Sequence, residues 1–162
     1  MFPVPPPSIS IVPATPADVP LVLALVQELA EYEKCPDQVV ATLDSLRDSL
    51  FGAKPECECV IGSIDGTPLG FALFFHNFST WVGRKGLYLE DLFVRPAARG
   101  KGLGKALFDH VEALALARGC TRMEWSVLDW NKPAIDFYLT LGAKPMTGWT
   151  VYRLRPGAQS GL

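Results

Sequence analysis

The stretch VRPAARGKGLGKAL, residues 94–107, is the most informative part of the chain. It lies between an apolar segment typical of a strand, Gly86–Val94, and a segment with helical apolar spacing, Gly102–Arg118. The turn between them is rich in glycine and in basic residues that could together serve one small polyanion: Arg95, Arg99, Lys101 and Lys105. A helix N-terminus offers unpaired N–H groups and a partial positive charge, and glycine lets a bound anion come close to the backbone. The stretch therefore predicts a strand, an anion-binding turn and a helix.

Three explanations of this turn can be compared. The P-loop of nucleotide-binding proteins requires Gly-Lys-Ser/Thr after four spacer residues, and the chain has no such match. The dinucleotide-binding fingerprint requires Gly-x-Gly-x-x-Gly, which the spacing of Gly100, Gly102 and Gly104 does not supply. A plain glycine-rich turn without a ligand remains open at this point.

The other segments predict an α/β protein with a mixed, mostly antiparallel sheet flanked by helices. An Asp65-Gly66 pair between two apolar runs indicates a tight hairpin. The length of 162 residues fits a single domain over residues 1–162, with an extended lead-in at 1–7 and a frayed end at 156–162. The predicted helices are Asp18–Lys34, Thr42–Phe51, Gly102–Arg118 and Asn131–Leu141, and the predicted strands are Ser8–Val12, Glu58–Ile64, Leu69–His76, Gly86–Val94, Arg122–Leu128 and Trp149–Leu154.

The strand before the turn changes phase in its middle. Leu87 and Leu89 share one parity, whereas Leu92 and Val94 share the other, so a β-bulge is expected near Glu90-Asp91. A bulge would splay the strand from its neighbour, free backbone groups for a ligand and place two carboxylates at the mouth of a cleft. A solvated kink in the strand is the simpler alternative.

Composition excludes several classes of function. The net charge is -2 with acids and bases mixed along the chain, which argues against a nucleic-acid partner. The four cysteines lack metal-knuckle spacing, so we expect reduced thiols and no metal. The chain contains neither an apolar run of the roughly 18 residues that a membrane span needs nor the basic and apolar regions of a secretory signal. A cytoplasmic protein without a membrane partner is expected.

Together these residues resemble the GNAT superfamily of acyl-coenzyme A dependent N-acetyltransferases, whose phosphate loop Arg/Gln-x-x-Gly-x-Gly/Ala is matched by Arg99–Gly104. The resemblance extends to the branch of spermidine/spermine and thialysine N-acetyltransferases and covers the chain from about Ile9 to Leu154. The stretches that carry it are ELAEYE at 28–33, WVG at 81–83, YLEDLFV at 88–94 and WNKPAIDFY at 130–138.

The resemblance implies the GNAT fold, with its sheet splayed at the middle, and acetyl-CoA as co-substrate. Glu90 would accept the proton of the acceptor amine through a water, and Tyr138 would protonate the departing thiolate. Members of this branch are commonly homodimers, so a homodimer is expected. The residues implied to contact the coenzyme are Leu92, Phe93, Val94, Arg99, Gly100, Lys101, Gly102, Leu103, Gly104, Lys105 and Asn131, and those implied to bind the acceptor are Tyr32, Glu33, Trp81, Glu90 and Asp91.

The sequence departs from the polyamine enzymes at two places. The segment 139–142, LTLG, lacks the basic residues common there, and the segment 83–86 carries an extra residue. A di- or polyamine and a thialysine- or lysine-like amino acid are therefore both candidate acceptors. The alternatives are a protein or peptide N-acetyltransferase and a non-catalytic acyl-CoA binding module.

Overall fold

The computed structural model describes residues 6–157. These residues fall into two compact units that divide between Ser126 and Val127, and the expected single domain stays a prediction. The predicted lead-in and frayed end lie largely outside the described residues. The strands are β1 (Ile9–Pro13), β2 (Glu58–Ile64), β3 (Thr67–Ser79), β4 (Arg84–Val94) and β5 (Met123–Glu124), and the helices are α1 (Val19–Tyr32), α2 (Leu43–Phe51), α3 (Leu103–Ala117) and α4 (Lys132–Thr140).

The first unit contains one five-stranded sheet in the order β1-β2-β3-β4-β5. The strands β1 to β4 are antiparallel neighbours, whereas β5 pairs with β4 in parallel, so the prediction of a mixed, mostly antiparallel sheet is confirmed. Asp65 and Gly66 join β2 to β3 with φ angles of 50° and 79°, the left-handed pair that a two-residue hairpin turn favours.

Each face of this sheet buries apolar side chains. Val22 and Leu25 of α1 and Leu50 of α2 pack with Phe71 and Phe93 on one face. On the other face α3 lies so close to the sheet that a Cβ added at Gly62 would come within 2.9 Å of Leu103 and 3.1 Å of Leu107. The glycines of β2 and β3 thus bring the N-terminal end of α3 close to the sheet and to the end of β4.

Two predicted strands differ from the structure. The strand predicted over Arg122–Leu128 is only Met123–Glu124, because its pairing with β4 stops where β4 begins to bulge. The strand predicted over Trp149–Leu154 is wrong, since these residues have no regular secondary structure. Val151 and Tyr152 are 84% and 91% exposed. Their apolar pattern suits a strand, but a strand also requires a partner for its backbone groups.

The second unit is organised around α4. Asn131 caps this helix, accepting a hydrogen bond at its side-chain oxygen from the N–H of Ala134 at 3.3 Å. Pro133 occupies the first turn, and Gly142 follows the helix end with a φ of 84°. The helix predicted over Asn131–Leu141 is therefore confirmed to within a residue at each end.

Candidate active site

The bulge predicted in β4 is present. Asp91 pairs with Leu73, and Leu89 pairs with Phe74, so Glu90 is the extra residue between two consecutive partners on β3. On its other edge β4 pairs with β5 only at Leu87 and Tyr88. Within residues 6–157, the edge from Leu89 to Val94 therefore has no partner strand, and an extended ligand could bind there through backbone hydrogen bonds.

The turn from Gly100 to Lys105, called here the glycine turn, forms the N-terminus of α3. Gly102 has a φ of 86°, which favours glycine, and its carbonyl accepts the hydrogen bond of the Ala106 N–H at 3.0 Å. The N–H groups that precede Ala106 have no helical acceptor and surround the N-terminal end of the helix. A Cβ added at Gly104 would meet only Val94, at 3.8 Å, so space remains above the turn. These features suit an anionic group such as a pyrophosphate.

The basic residues near the glycine turn have different partners. Arg95 donates to both carboxylate oxygens of Glu28, at 2.9 and 2.8 Å, so its charge is paired within the protein. Lys105 forms an ion pair with Asp109 at 2.5 Å. The guanidinium of Arg99 lies 4.3 Å from the ring centroid of Tyr32. Sequence reasoning grouped Arg95 with the other cations and missed Glu28 as its partner.

Three carboxylates, Glu33, Glu90 and Asp91, form what we call the acid cluster. Asp91 lies opposite Leu73, which in turn lies opposite buried Cys59, so Asp91 is on the face of the sheet that α1 covers. Burial, and to a smaller extent the charges of Glu90 and Glu33, raise the pKa of Asp91 to about 7. Burial also raises the pKa of Glu33, the residue that directly follows α1. Burial and mutual repulsion both disfavour neighbouring ionised carboxylates, so a group of them in one place is typical of a site for a cation.

Cys57 is a neighbour of the acid cluster that sequence reasoning did not assign to the site. Its thiol pKa is raised by burial first and then by surrounding carboxylates that include Asp91 and Glu90. The thiol therefore stays neutral at physiological pH. Cys57 directly precedes β2 and lies two residues before Cys59. In extended chain this spacing puts both side chains on one side, and it is the sequence signal that could have identified Cys57.

The two expected aromatic residues of the acceptor site lie in different places. Tyr32 is the half-buried last residue of α1 and directly precedes Glu33. Trp81 lies in the turn between β3 and β4 and is 88% exposed. Asp91 lies seven residue steps along β4 from Arg84 at the start of the strand, which corresponds to roughly 23 Å. The structure thus brings Tyr32, but not Trp81, next to the acid cluster within one chain.

Asn131 and Tyr138 belong to the second unit, one at each end of α4. Asn131 is 6% exposed, and its side chain caps the helix. Tyr138 is half-buried, and its ring centroid lies 5.4 Å from that of Phe137. Their expected roles at the coenzyme and at the leaving sulfur stay predictions.

Residues 6–157 contain no group of three or more His, Cys, Asp or Glu side chains that could hold a metal ion. None of their helices combines the length and the apolar character needed to cross a bilayer.

Comparisons with known proteins agree with this geometry. Residues 23–143 match the model of the Acetyltransferase (GNAT) family. The chain is 40% identical over 152 residues to a thialysine N-epsilon-acetyltransferase of Sus scrofa, with 87% of this chain and 89% of that protein covered. It is 31% identical to the L-ornithine N5-acetyltransferase NATA1 of Arabidopsis thaliana, with 87% and 82% covered.

A solved structure has the same fold. It is an integron cassette protein from the mobile metagenome of V. cholerae, with a TM-score of 0.76 at 26% identity over 93% of this chain and 94% of that one. The family model and the relatives lead to one conclusion: the chain belongs to the GNAT family of acetyltransferases and is an acetyl-CoA-dependent N-acetyltransferase.

Proposed function

We propose that this N-acetyltransferase acts on a primary amine at the end of a small molecule, either an amino acid of the thialysine or lysine kind or a di- or polyamine. The observation that carries the proposal is the acid cluster, which places three carboxylates where α1 ends and β4 bulges. Relatives named for thialysine and L-ornithine support an amino acid whose side chain ends in an amine.

The residues that would hold acetyl-CoA lie on two adjacent elements. The free edge of Leu92–Val94 suits the extended pantetheine, and the N–H groups of the glycine turn suit the pyrophosphate. Arg99 adds positive charge beside that turn and Lys101 adds it within the turn, and the resemblance assigns Asn131 to the coenzyme. Bound acetyl-CoA supplies a thioester carbonyl that a neutral amine can attack directly.

The acid cluster binds the acceptor but also opposes the reaction. Its negative charge stabilises the ammonium form of the amine, whose pKa is about 10.4 in free lysine, and only the neutral form is a nucleophile. A base is therefore required. We assign this role to Glu90, which is exposed and can take the proton through a water, whereas Asp91 is partly protonated near neutral pH.

The second proton transfer involves the leaving group. Formation of the amide C–N bond breaks the thioester C–S bond, and the sulfur leaves with the electron pair. As the amide forms, the nitrogen releases its second proton through water to solvent. We assign to Tyr138 the donation of a proton to this sulfur; the Tyr138 hydroxyl then recovers its proton from solvent. The products are an N-acetylated amine and free coenzyme A.

The experiment that tests this function measures release of coenzyme A thiol from acetyl-CoA with thialysine, lysine, ornithine, spermidine, spermine, putrescine and a lysine peptide. Turnover with at least one free amine is expected, together with a preference for that amine over the peptide. Turnover with the peptide alone would indicate a protein acetyltransferase. Binding of coenzyme A without any turnover would indicate a non-catalytic acyl-CoA binding module.

We further propose a cytoplasmic homodimer with no nucleic-acid or membrane partner. The homodimer is supported by the resemblance to a branch whose members are commonly homodimers. The absence of a nucleic-acid partner is supported by a net charge of only -2. Light scattering at working concentration tests the dimer, and a mass equal to one chain of 17.7 kDa would contradict it.

A further inference from the structure

We propose that Tyr32 has a second task besides contacting the acceptor: it is a positioning residue for the coenzyme-binding loop, through its contact with Arg99. The inference rests on the proposed assignment of the glycine turn to coenzyme binding. It would make the two substrate sites share one pair of side chains, so that a change on the acceptor side alters coenzyme affinity.

The contact is defined by three elements. The guanidinium of Arg99 lies 4.3 Å from the ring centroid of Tyr32 on α1 and 5.9 Å from that of Phe93 on β4. Its Nε donates a hydrogen bond to the carbonyl of Val94 at 3.0 Å. An exposed arginine immediately before Gly100 is thereby held in one orientation.

A second contact anchors the other end of the same segment. Arg95 donates to Glu28 through two nitrogens and to the carbonyl of Pro68 at 3.2 Å. Glu28 and Tyr32 are four residues apart on α1 and therefore lie on one face of that helix. The two arginines that flank the turn at Pro96–Ala98 are thus both held by α1, and the glycine turn begins directly after the second.

The physical consequence is preorganisation. A free arginine side chain has many rotamers, and ordering it on ligand binding reduces affinity. A stack that orders Arg99 beforehand removes part of that cost and keeps its charge next to the turn. Cation–π contacts at exposed sites correspond to about a two- to five-fold change in a dissociation constant. We expect the contribution of the Tyr32 ring to coenzyme binding to be of this size.

The test is calorimetric titration with coenzyme A, without any acceptor. Tyr32→Leu, which keeps an apolar side chain but removes the ring, should weaken binding about two- to five-fold. Tyr32→Phe, which keeps the ring, should bind as the unchanged protein does. Arg99→Lys keeps the charge but loses the flat guanidinium, and should weaken binding to a similar degree. The double variant should bind coenzyme A no more weakly than the single variant with the lower affinity, because both substitutions remove the same contact.

Arg118→Lys is the matched control. Its guanidinium also lies over an aromatic ring, that of Phe74 at 5.9 Å, but at the far end of α3, so coenzyme affinity should not change. Arg99 is exposed, so its variant tests the proposal even if Tyr32→Leu fails to fold. Unchanged affinity in Arg99→Lys, tighter binding in Tyr32→Leu, or additive losses in the double variant would each overturn the proposal.

The outcome is independent of the acceptor. Suppose that coenzyme A binds, that Tyr32→Leu weakens this binding, and that no amine in the panel is acetylated. The proposed acceptor is then wrong, while the proposed role of Tyr32 in coenzyme binding holds. If amines are acetylated and Tyr32→Leu binds coenzyme A as the unchanged protein does, the proposed function holds, while the proposed role of Tyr32 in coenzyme binding is wrong.

Discussion

Replacing Asp91 by asparagine should stabilise the protein, and the gain should depend on pH. The pKa of Asp91 is raised from 3.8 to about 7 in the folded chain, chiefly by burial. Between these two values the folded state holds a proton that the unfolded state has lost, so stability falls as pH rises from 3.8 to 7. Above pH 7 Asp91 is ionised in both states, and the loss of stability caused by its burial reaches its full value. One pKa unit is worth about 1.4 kcal/mol, so the full cost is at most about 4 kcal/mol.

Asparagine resembles the protonated carboxyl and carries no such cost. The gain in the free energy of unfolding for Asp91→Asn should therefore grow from about 1.5 kcal/mol at pH 5 to about 4 kcal/mol at pH 8, and remain constant above that. Urea denaturation of both proteins at pH 5, 6, 7 and 8 measures it. Asp129→Asn, at an exposed aspartate in the second unit, is the matched control and should show no such trend.

Two results would refute this reasoning. A gain that is the same at every pH would mean that the charge of Asp91 is not its source. A loss of stability at pH 8 would mean that the carboxylate is paired in the native state. The same substitution should raise the KM for the amine, since it removes one of three carboxylates from the acid cluster; this is the expected conflict between stability and binding.

Three other changes test separate parts of the site. Tyr138→Phe should lower kcat at least ten-fold while the dissociation constant of coenzyme A stays within two-fold, and full activity with every amine would exclude its acid role. Gly104→Ala should weaken coenzyme A binding several-fold in titrations with no change in Tm, because its Cβ meets protein only at 3.8 Å; a fall in Tm would contradict this. Leu107→Ala, at a fully buried position beneath the glycine turn, should cost about 2–5 kcal/mol in urea denaturation, and a loss below 1 kcal/mol would show that α3 packs loosely.

Features of this protein that depend on neighbouring residues could be predicted from the sequence. The change of parity along β4 predicted the bulge at Glu90, because strand side chains alternate and one extra residue reverses the alternation. The glycines and apolar spacing after Val94 predicted the turn and α3, because helix ends and periodicity are local properties.

Features that depend on residues far apart in the chain could be read only from the folded protein. The pairing of Arg95 with Glu28 and the stack of Arg99 on Tyr32 each join residues 67 positions apart, and composition alone assigned both cations to a ligand. The raised pKa of Asp91 requires burial beneath α1, which strand alternation does not reveal. The segment Trp149–Leu154 shows the same limit, because its pattern describes side chains, whereas a strand exists only where another backbone supplies its hydrogen bonds.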